Sequence, residues 1–222
     1  TRFYPKSINK ECTTNIINRL LKHSDGNVYA FCNRSVFKCS MNQTVETVFP
    51  DIAIPSPTYS VAQAPDKDIY IGTESNGLYI YSENWKLKKH VPIDGIIATI
   101  LPDNNGDIWL GLDETGICLF NKNKQTFTWL HKDNTNLNNN SIRTFVSYGD
   151  SSILVGTFRG LNILNKKELT ITPANINIAG KGGLSHYSIH SMLIDKDQTL
   201  WIGTYSAAVS YTHLRAHETC AD

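Results

Sequence analysis

The chain has 222 residues, 41% of them apolar and 18% charged, with a formal net charge of +1 at pH 7. That balance is ordinary for a globular domain. There are no runs of Lys and Arg of the kind that bind nucleic acid, and no apolar stretch approaches the roughly 18 residues of a membrane helix.

The chain opens at Thr1 without the positive, apolar and small-residue succession of a signal peptide, and Arg2-Phe3-Tyr4 reads as the end of an outer strand. Residues 13–57 hold a first unit: a strand near Ile16 to Leu21, a Ser24-Asp25-Gly26 turn, and strands around Val28 to Cys32 and Val36 to Cys39. The part carrying Pro50, Pro55 and Pro57 suits an edge strand and a loop, because proline cannot donate to a ladder. Residues 58–94 bring Ile69 to Thr73 (IYIGT), Leu78 to Tyr81 and an outer strand from Trp85 to Val91. Residues 95–139 repeat that order with Ile108 to Leu112 (IWLGL), the run from Gly116 to Leu119, and an outer strand from Thr126 to Leu130. The polar run His131 to Asn140 reads as a solvated loop. Residues 140–186 carry Ile153 to Thr157 (ILVGT) and Gly160 to Ile163, then a connection in which Gly180, Gly182 and Gly183 surround Lys181 without the order of a phosphate loop. Residues 187–207 begin a fifth copy with Leu200 to Thr204 (LWIGT).

The glycines of these runs, Gly72, Gly111, Gly156 and Gly203, are separated by 39, 45 and 47 residues, so the chain is a repeat. Consecutive β-branched and aromatic residues between Asp/Gly turns fit strands and not a helix of period 3.6. The runs are apolar on both faces, which calls for sheets covered on both sides. A unit of this length with about four short antiparallel strands is the size of a propeller blade. The expected fold is therefore all-β, a partial β-propeller of about five four-stranded antiparallel blades over residues 1–207. Trp109 and Trp201, matched by Tyr70 and Tyr29, stand at one repeat position, which points to a shared packing role beside the glycines.

Beyond Tyr205 the pattern breaks. Val209 to Thr219 resembles a translated sequencing adaptor, so 208–222 is set outside the domain as a non-native tail. His213 and His217, although four residues apart, are accordingly not read as metal ligands. The five cysteines, Cys12, Cys32, Cys39, Cys118 and Cys220, show no zinc spacing. Cys32 and Cys118 read as buried strand residues, with a Cys32 to Cys39 disulfide as the alternative.

No catalytic, metal or cofactor motif stands out. Asp103-Asn104-Asn105-Gly106-Asp107 opens like a calcium loop, but Ile108 occupies the place of the sharp-turn glycine. Binding then falls to loops carried by the rigid strands. Those joining second to third strands, and outer strands to the next inner ones, hold Glu74, Asp113, Glu114, Arg159 and Tyr205, with His131 and His186 in the long connections.

The set D-x-x-G-x-[IL]-W-[IL]-G-T, followed by a turn and G-[LI], resembles the two-component regulator propeller repeat. It stands here as DNNGDIWLGLDETGICLF and DKDQTLWIGT, with worn copies APDKDIYIGTESNGLYIY and YGDSSILVGTFRGLNIL. The resemblance implies a fragment of a seven-bladed ring from the periplasmic sensor region of an inner-membrane hybrid two-component protein. It implies an oligosaccharide ligand and signalling to a histidine kinase outside this stretch. The partners it implies are the remaining blades and signalling domains of a homodimeric parent, with no nucleic acid and no cofactor. Two other readings stay open: a polysaccharide lyase or glycoside hydrolase on a propeller scaffold, which needs converging carboxylates, and a protein-interaction scaffold.

Overall fold

The computed structural model describes residues 17–32, 36–40, 45–47, 54, 56–174, 186–205 and 210–213. Cys12, Pro50, Pro55, the glycines around Lys181, His217 and Cys220 lie outside the described residues. Regular structure among them is entirely strand. The first sheet is β1 (Arg19–Lys22), β2 (Val28–Phe31), β3 (Val36–Cys39) and β4 (Val45–Thr47); the second is β5 (Thr58–Gln63), β6 (Ile69–Thr73), β7 (Leu78–Tyr81) and β8 (Leu87–Val91). The third is β9 (Ile97–Pro102), β10 (Asp107–Leu112), β11 (Gly116–Asn121) and β12 (Thr126–Leu130). The fourth is β13 (Ile142–Tyr148), β14 (Ser152–Thr157), β15 (Gly160–Asn165) and β16 (Ile171–Pro173); the fifth is β17 (Ile189–Ile194), β18 (Thr199–Thr204) and β19 (Ser210–His213). Each sheet is a meander in chain order, with antiparallel neighbours.

The chain divides into two compact units, Thr1–Asp113 with Cys118–Trp129, and Glu114–Ile117 with Leu130–Asp222. In unit 1 the second sheet is buried on both faces. Ile69, Ile71, Tyr79 and Tyr81 pack with Tyr29, Phe31 and Val36 of the first sheet. Tyr70, Leu78 and Ile80, on the other face, pack with Ile97, Ile108 and Leu110 of the third. The alternation explains the continuous apolar runs: a strand with no wet face has no polar positions to spare. In unit 2, Leu154 and Leu161 of the fourth sheet pack against Ile189, Leu200 and Ile202 of the fifth.

The repeated glycine lies where sheets approach most closely. A Cβ on Gly72 would stand 2.7 Å from Ile97 Cγ2, and one on Gly156 2.7 Å from Ile189 Cγ2. Both isoleucines open the inner strand of the following sheet, so the glycine lets that strand lie flat. Beside Gly72, the Ser60 hydroxyl donates to the Ile97 carbonyl at 2.6 Å and stitches the second sheet to the third.

Several expectations need correction. Trp109 is buried, with 1% of its surface exposed, but Trp201 is 39% exposed and its indole N–H donates to Asp195 Oδ2 at 2.7 Å. Its cross-strand partner Leu193 is exposed too, so the two tryptophans share a register position and not an environment. Trp85 is not in an outer strand; it sits in the turn before β8 with φ of 61° and is buried against Tyr29, Phe31 and Tyr81. The Asn-rich connection is pinned and not merely solvated, for Leu137 in it is buried and Asn138 bonds into the fourth sheet. The fifth sheet continues past residue 207, where β19 pairs along β18 from Ile202↔Ser210 to Thr199↔His213. Such pairing needs only backbone groups, which any extended segment offers to an open edge. Cys32 and Cys39 form no disulfide with each other: the register pairs Cys39 with Val28 and Val36 with Phe31, leaving Cys32 at the other end of that hairpin.

Candidate ligand-binding site

The inner strands of the second to fifth sheets all contain the same irregularity. Opposite the glycine, the register skips one residue: Tyr59 between Thr58 and Ser60, Ala98 between Ile97 and Thr99, Arg143 between Ile142 and Thr144, His190 between Ile189 and Ser191. Each is a β-bulge, which releases one side chain from the two sheet faces and re-aims it. The turn after the next strand is equally regular. The amides of Glu74, Asp113, Phe158 and Tyr205 donate to the carbonyls of Pro57, Ile96, Ser141 and Ser188, each at 3.0 Å. One backbone device thus presents a bulged residue and a turn residue together, and sequence alone sets their chemistry.

In unit 2 the two pairs are a cation-forming group with an aromatic ring. The Arg143 guanidinium lies 5.9 Å from the Phe158 ring centroid. The His190 and Tyr205 rings stack at 5.5 Å with an interplanar angle of 30°. His186 adds a third ring, 6.2 Å from that of Tyr205, and its Nδ1 accepts the Ser188 amide at 3.0 Å, which puts the proton of the neutral ring on Nε2 and leaves Nε2 as the atom shared with solvent or ligand. Partial burial, followed by the charges of Arg143 and His186, lowers the His190 pKa below the ordinary histidine value. The aromatic rings stay available, with Phe158 48% and Tyr205 62% exposed.

The turn bearing Phe158 and Arg159 is held from below by Asn138. Its side chain accepts from Thr157 Oγ1 and Asn162 Nδ2, both at 2.8 Å, and donates to the Arg159 carbonyl at 3.1 Å. Asn162 is fully buried, so this network satisfies a group that would otherwise be costly to enclose.

The structure places the residues expected from sequence as follows. Tyr205 stands in the cluster, and Arg159 follows Phe158 in the turn that carries it. His131 closes its own turn: its amide donates to Asn134 Oδ1 at 2.8 Å and its carbonyl accepts from Thr135. Glu74 and Asp113 occupy the corresponding turn position in unit 1, where their bulged partners are Tyr59 and Ala98. Tyr59 is instead covered by Arg19, at 5.7 Å from its ring. Arg143, Phe158 and His190 were missed. The signal for Arg143 and His190 was present, since the triplets TYS, IAT, IRT and IHS at 58–60, 97–99, 142–144 and 189–191 recur with the glycine spacing, and Phe158 follows ILVGT as Glu74 follows IYIGT.

Unit 1 also has a cavity of about 240 Å³ among the turns before β6 and β10, lined by Asp66, Tyr70, Asn104, Asn105, Lys122 and Asn123. Its charges are spent on one another, for Lys122 pairs with Asp66 and lies 3.4 Å from Asp68. The Asn105 and Asp107 side chains bond within their own turn, at 2.7 Å. Among the described residues, no three His, Cys, Asp or Glu are placed to hold a metal ion.

The family described as two-component regulator propeller matches residues 183–206, the stretch that carries His186, His190 and Tyr205. The extracellular domain of the hybrid two-component system BT3049 from B. thetaiotaomicron superposes with a TM-score of 0.70 at 23% identity over 90% of this chain. That of BT4673 from the same organism gives 0.71 at 18% identity over 93%. The β-propeller domain of Cps50 (Swd1) from Myceliophteria thermophila gives 0.70 at 11% identity over 90% of this chain and 66% of its own. The fold is a β-propeller fold. Each four-stranded meander is a blade, and the bulge and turn lie at one end of it. The chain spans only 27% and 29% of the two bacterial relatives. No curated protein sequence matches it.

Proposed function

We propose that this chain is the ligand-reading part of a periplasmic sensor, that its ligand is an oligosaccharide, and that the parent protein passes the signal to a histidine kinase outside this stretch. The observation that carries the reading is the pairing of Arg143 with Phe158 and of His190 with Tyr205 on successive blades. Aromatic rings offer flat apolar faces to sugar rings, and the cationic groups beside them bond to hydroxyl or acidic oxygens. The family match over residues 183–206 and the extracellular setting of the bacterial relatives support a sensor. A glycosidase or lyase reading draws no support from these turns, whose residues are Phe158-Arg159 and Tyr205 where paired carboxylates would be needed.

The test is titration calorimetry of the chain against a panel of oligosaccharides from plant, host and microbial glycans, followed by chromatography of the recovered sugar. Saturable binding with the sugar returned intact is the expected result. Cleavage of any panel member overturns the sensor reading, and silence across the panel overturns the sugar ligand.

A further inference from the structure

Unit 2 brings cation-forming groups together on adjacent inner strands. The bulges of its two blades are Arg143 and His190, and His186 stands close enough for its charge to act on His190. Among the described residues, the charged groups that act on His190 are Arg143 from β13 and His186 ahead of β17, and the Tyr205 ring after β18 stacks on it. Like charges gathered on adjacent inner strands oppose one another, and packing does not require them, since the same two positions in unit 1 are Tyr59 and Ala98. The turn position differs in the same sense: Glu74 and Asp113 in unit 1, Phe158 and Tyr205 in unit 2, with Arg159 adding a further cation. Two cation-forming bulge residues on adjacent inner strands, each beside an exposed aromatic ring, fit a ligand that joins a sugar ring to a negative charge.

We propose, on the strength of the sugar-binding reading above, that the ligand is an acidic oligosaccharide whose oxyanion, a uronate carboxylate or a sulfate ester, lies between Arg143 and His190 while a sugar ring rests on Phe158 or Tyr205. The planar guanidinium matches both oxyanions through paired N–H donors. Protonated His190 supplies a second charged donor, and the bound anion stabilises that form. Affinity therefore rises as the pH falls, because the ligand's acid stays ionised while His190 takes up a proton.

The experiment is calorimetry of the chain with acidic oligosaccharides, each paired with its neutral parent: oligogalacturonates against galacto-oligosaccharides, and sulfated against unsulfated galactans. Binding of at least one acidic member, about tenfold tighter than its neutral parent, is expected, and the uronate and sulfate arms separate the two sources of charge. Binding should strengthen several-fold between about pH 8 and about pH 5.5. Arg143→Gln should lose about tenfold in affinity, with Arg143→Lys recovering part of it. His190→Gln should retain binding at the higher pH and lose the gain at the lower one. Circular dichroism of each variant checks folding, and since Arg143 is partly enclosed, the His190→Gln pH profile carries the test if Arg143→Gln fails to fold. Neutral parents that bind as tightly as their acidic partners overturn the anion assignment and leave the sugar reading standing. Silence of every pair overturns both.

Discussion

The second and fourth blades place the same backbone under opposite chemistry. In both, a bulge faces the repeat glycine and a turn amide bonds back to the residue before the inner strand. The side chains so presented are Tyr59 with Glu74 in the second and Arg143 with Phe158 in the fourth. The third and fifth diverge in the same way, Ala98 with Asp113 against His190 with Tyr205. Positions that point into a neighbouring sheet vary little, because each must fill or clear a fixed space. The bulge and turn columns carry most of the variation, from a buried Ala98 to an exposed Tyr205. The proposed recognition residues thus stand in columns of the repeat other than those that set its architecture.

The largest contrast concerns packing at the aromatic column. Tyr70 in unit 1 is fully buried and packed with Ile97 and Ile108, whereas Trp201 in unit 2 holds the same position on an open face. Tyr70→Ala should cost about 3–5 kcal/mol in urea unfolding, as large buried rings do. Trp201→Ala should cost about 1 kcal/mol or less, mostly the hydrogen bond to Asp195. Equal losses would mean that Trp201 is enclosed in solution and that the two environments are the same.

The glycine column gives a smaller difference with a sharper cause. A Cβ on Gly72 meets Ser60 Oγ at 2.4 Å and Ile97 Cγ2 at 2.7 Å, while one on Gly203 meets Ser191 Oγ at 2.4 Å and then nothing nearer than 3.8 Å. A serine hydroxyl can rotate away, but a packed isoleucine on a neighbouring strand cannot. Gly72→Ala should therefore destabilise by about 1–3 kcal/mol, the usual cost of overpacking. Gly203→Ala should cost less than half as much, and the ratio of urea midpoints is the measurement.

These columns were legible because they repeat with a spacing and obey a periodicity. IYIGT, IWLGL, ILVGT and LWIGT announce strands buried on both faces, and their glycines announce a close approach. The bulges were harder to read, since one skipped residue changes pairing without changing composition. Only the hydroxyl residue facing each glycine, Ser60, Thr99, Thr144 and Ser191, betrays the register, because little else fits there. Arg159 was read where Phe158 belongs because the turn from Thr157 to Gly160 is one residue shorter than those from Thr73 to Gly77 and from Leu112 to Gly116, and only the preceding strand puts Phe158 level with Glu74 and Asp113. The Asn-rich run read as solvated because polar composition does not reveal that Asn138 can both donate to and accept from a buried partner.

On ligand affinity the comparison is direct. Tyr205→Ala removes the ring stacked on His190 and should weaken oligosaccharide binding about tenfold, with stability changed by no more than about 0.5 kcal/mol because the ring is exposed. Glu74→Ala, at the matching position of unit 1, should change neither. Loss of binding in Glu74→Ala with Tyr205→Ala unaffected would move the site to unit 1 and reverse the assignment.

The smallest effect is the dependence of stability on pH, where the two units titrate in different windows. In unit 1, Asp66 is held below the usual carboxylate range: burial alone would raise it, but Lys122 and the Asp68 amide favour the charged form. Its contribution is present above the unfolded value of about 4 and is lost as the pH falls below it. In unit 2, His190 has a lowered pKa, so the unfolded chain takes up that proton first. Its contribution is complete above the unfolded value of about 6.5 and fades as the pH falls through that point towards the folded one. Without ligand, urea midpoints should thus show a shallow decline beginning near pH 6.5 and a second nearer pH 4. The upper step stays shallow because His190 is largely exposed and water screens its neighbours. His190→Gln should flatten the upper step alone, and Asp66→Asn should diminish the lower one. If the upper step survives in His190→Gln, the charges of Arg143 and His186 do not act there, and the crowding of cationic groups in unit 2 loses its energetic consequence.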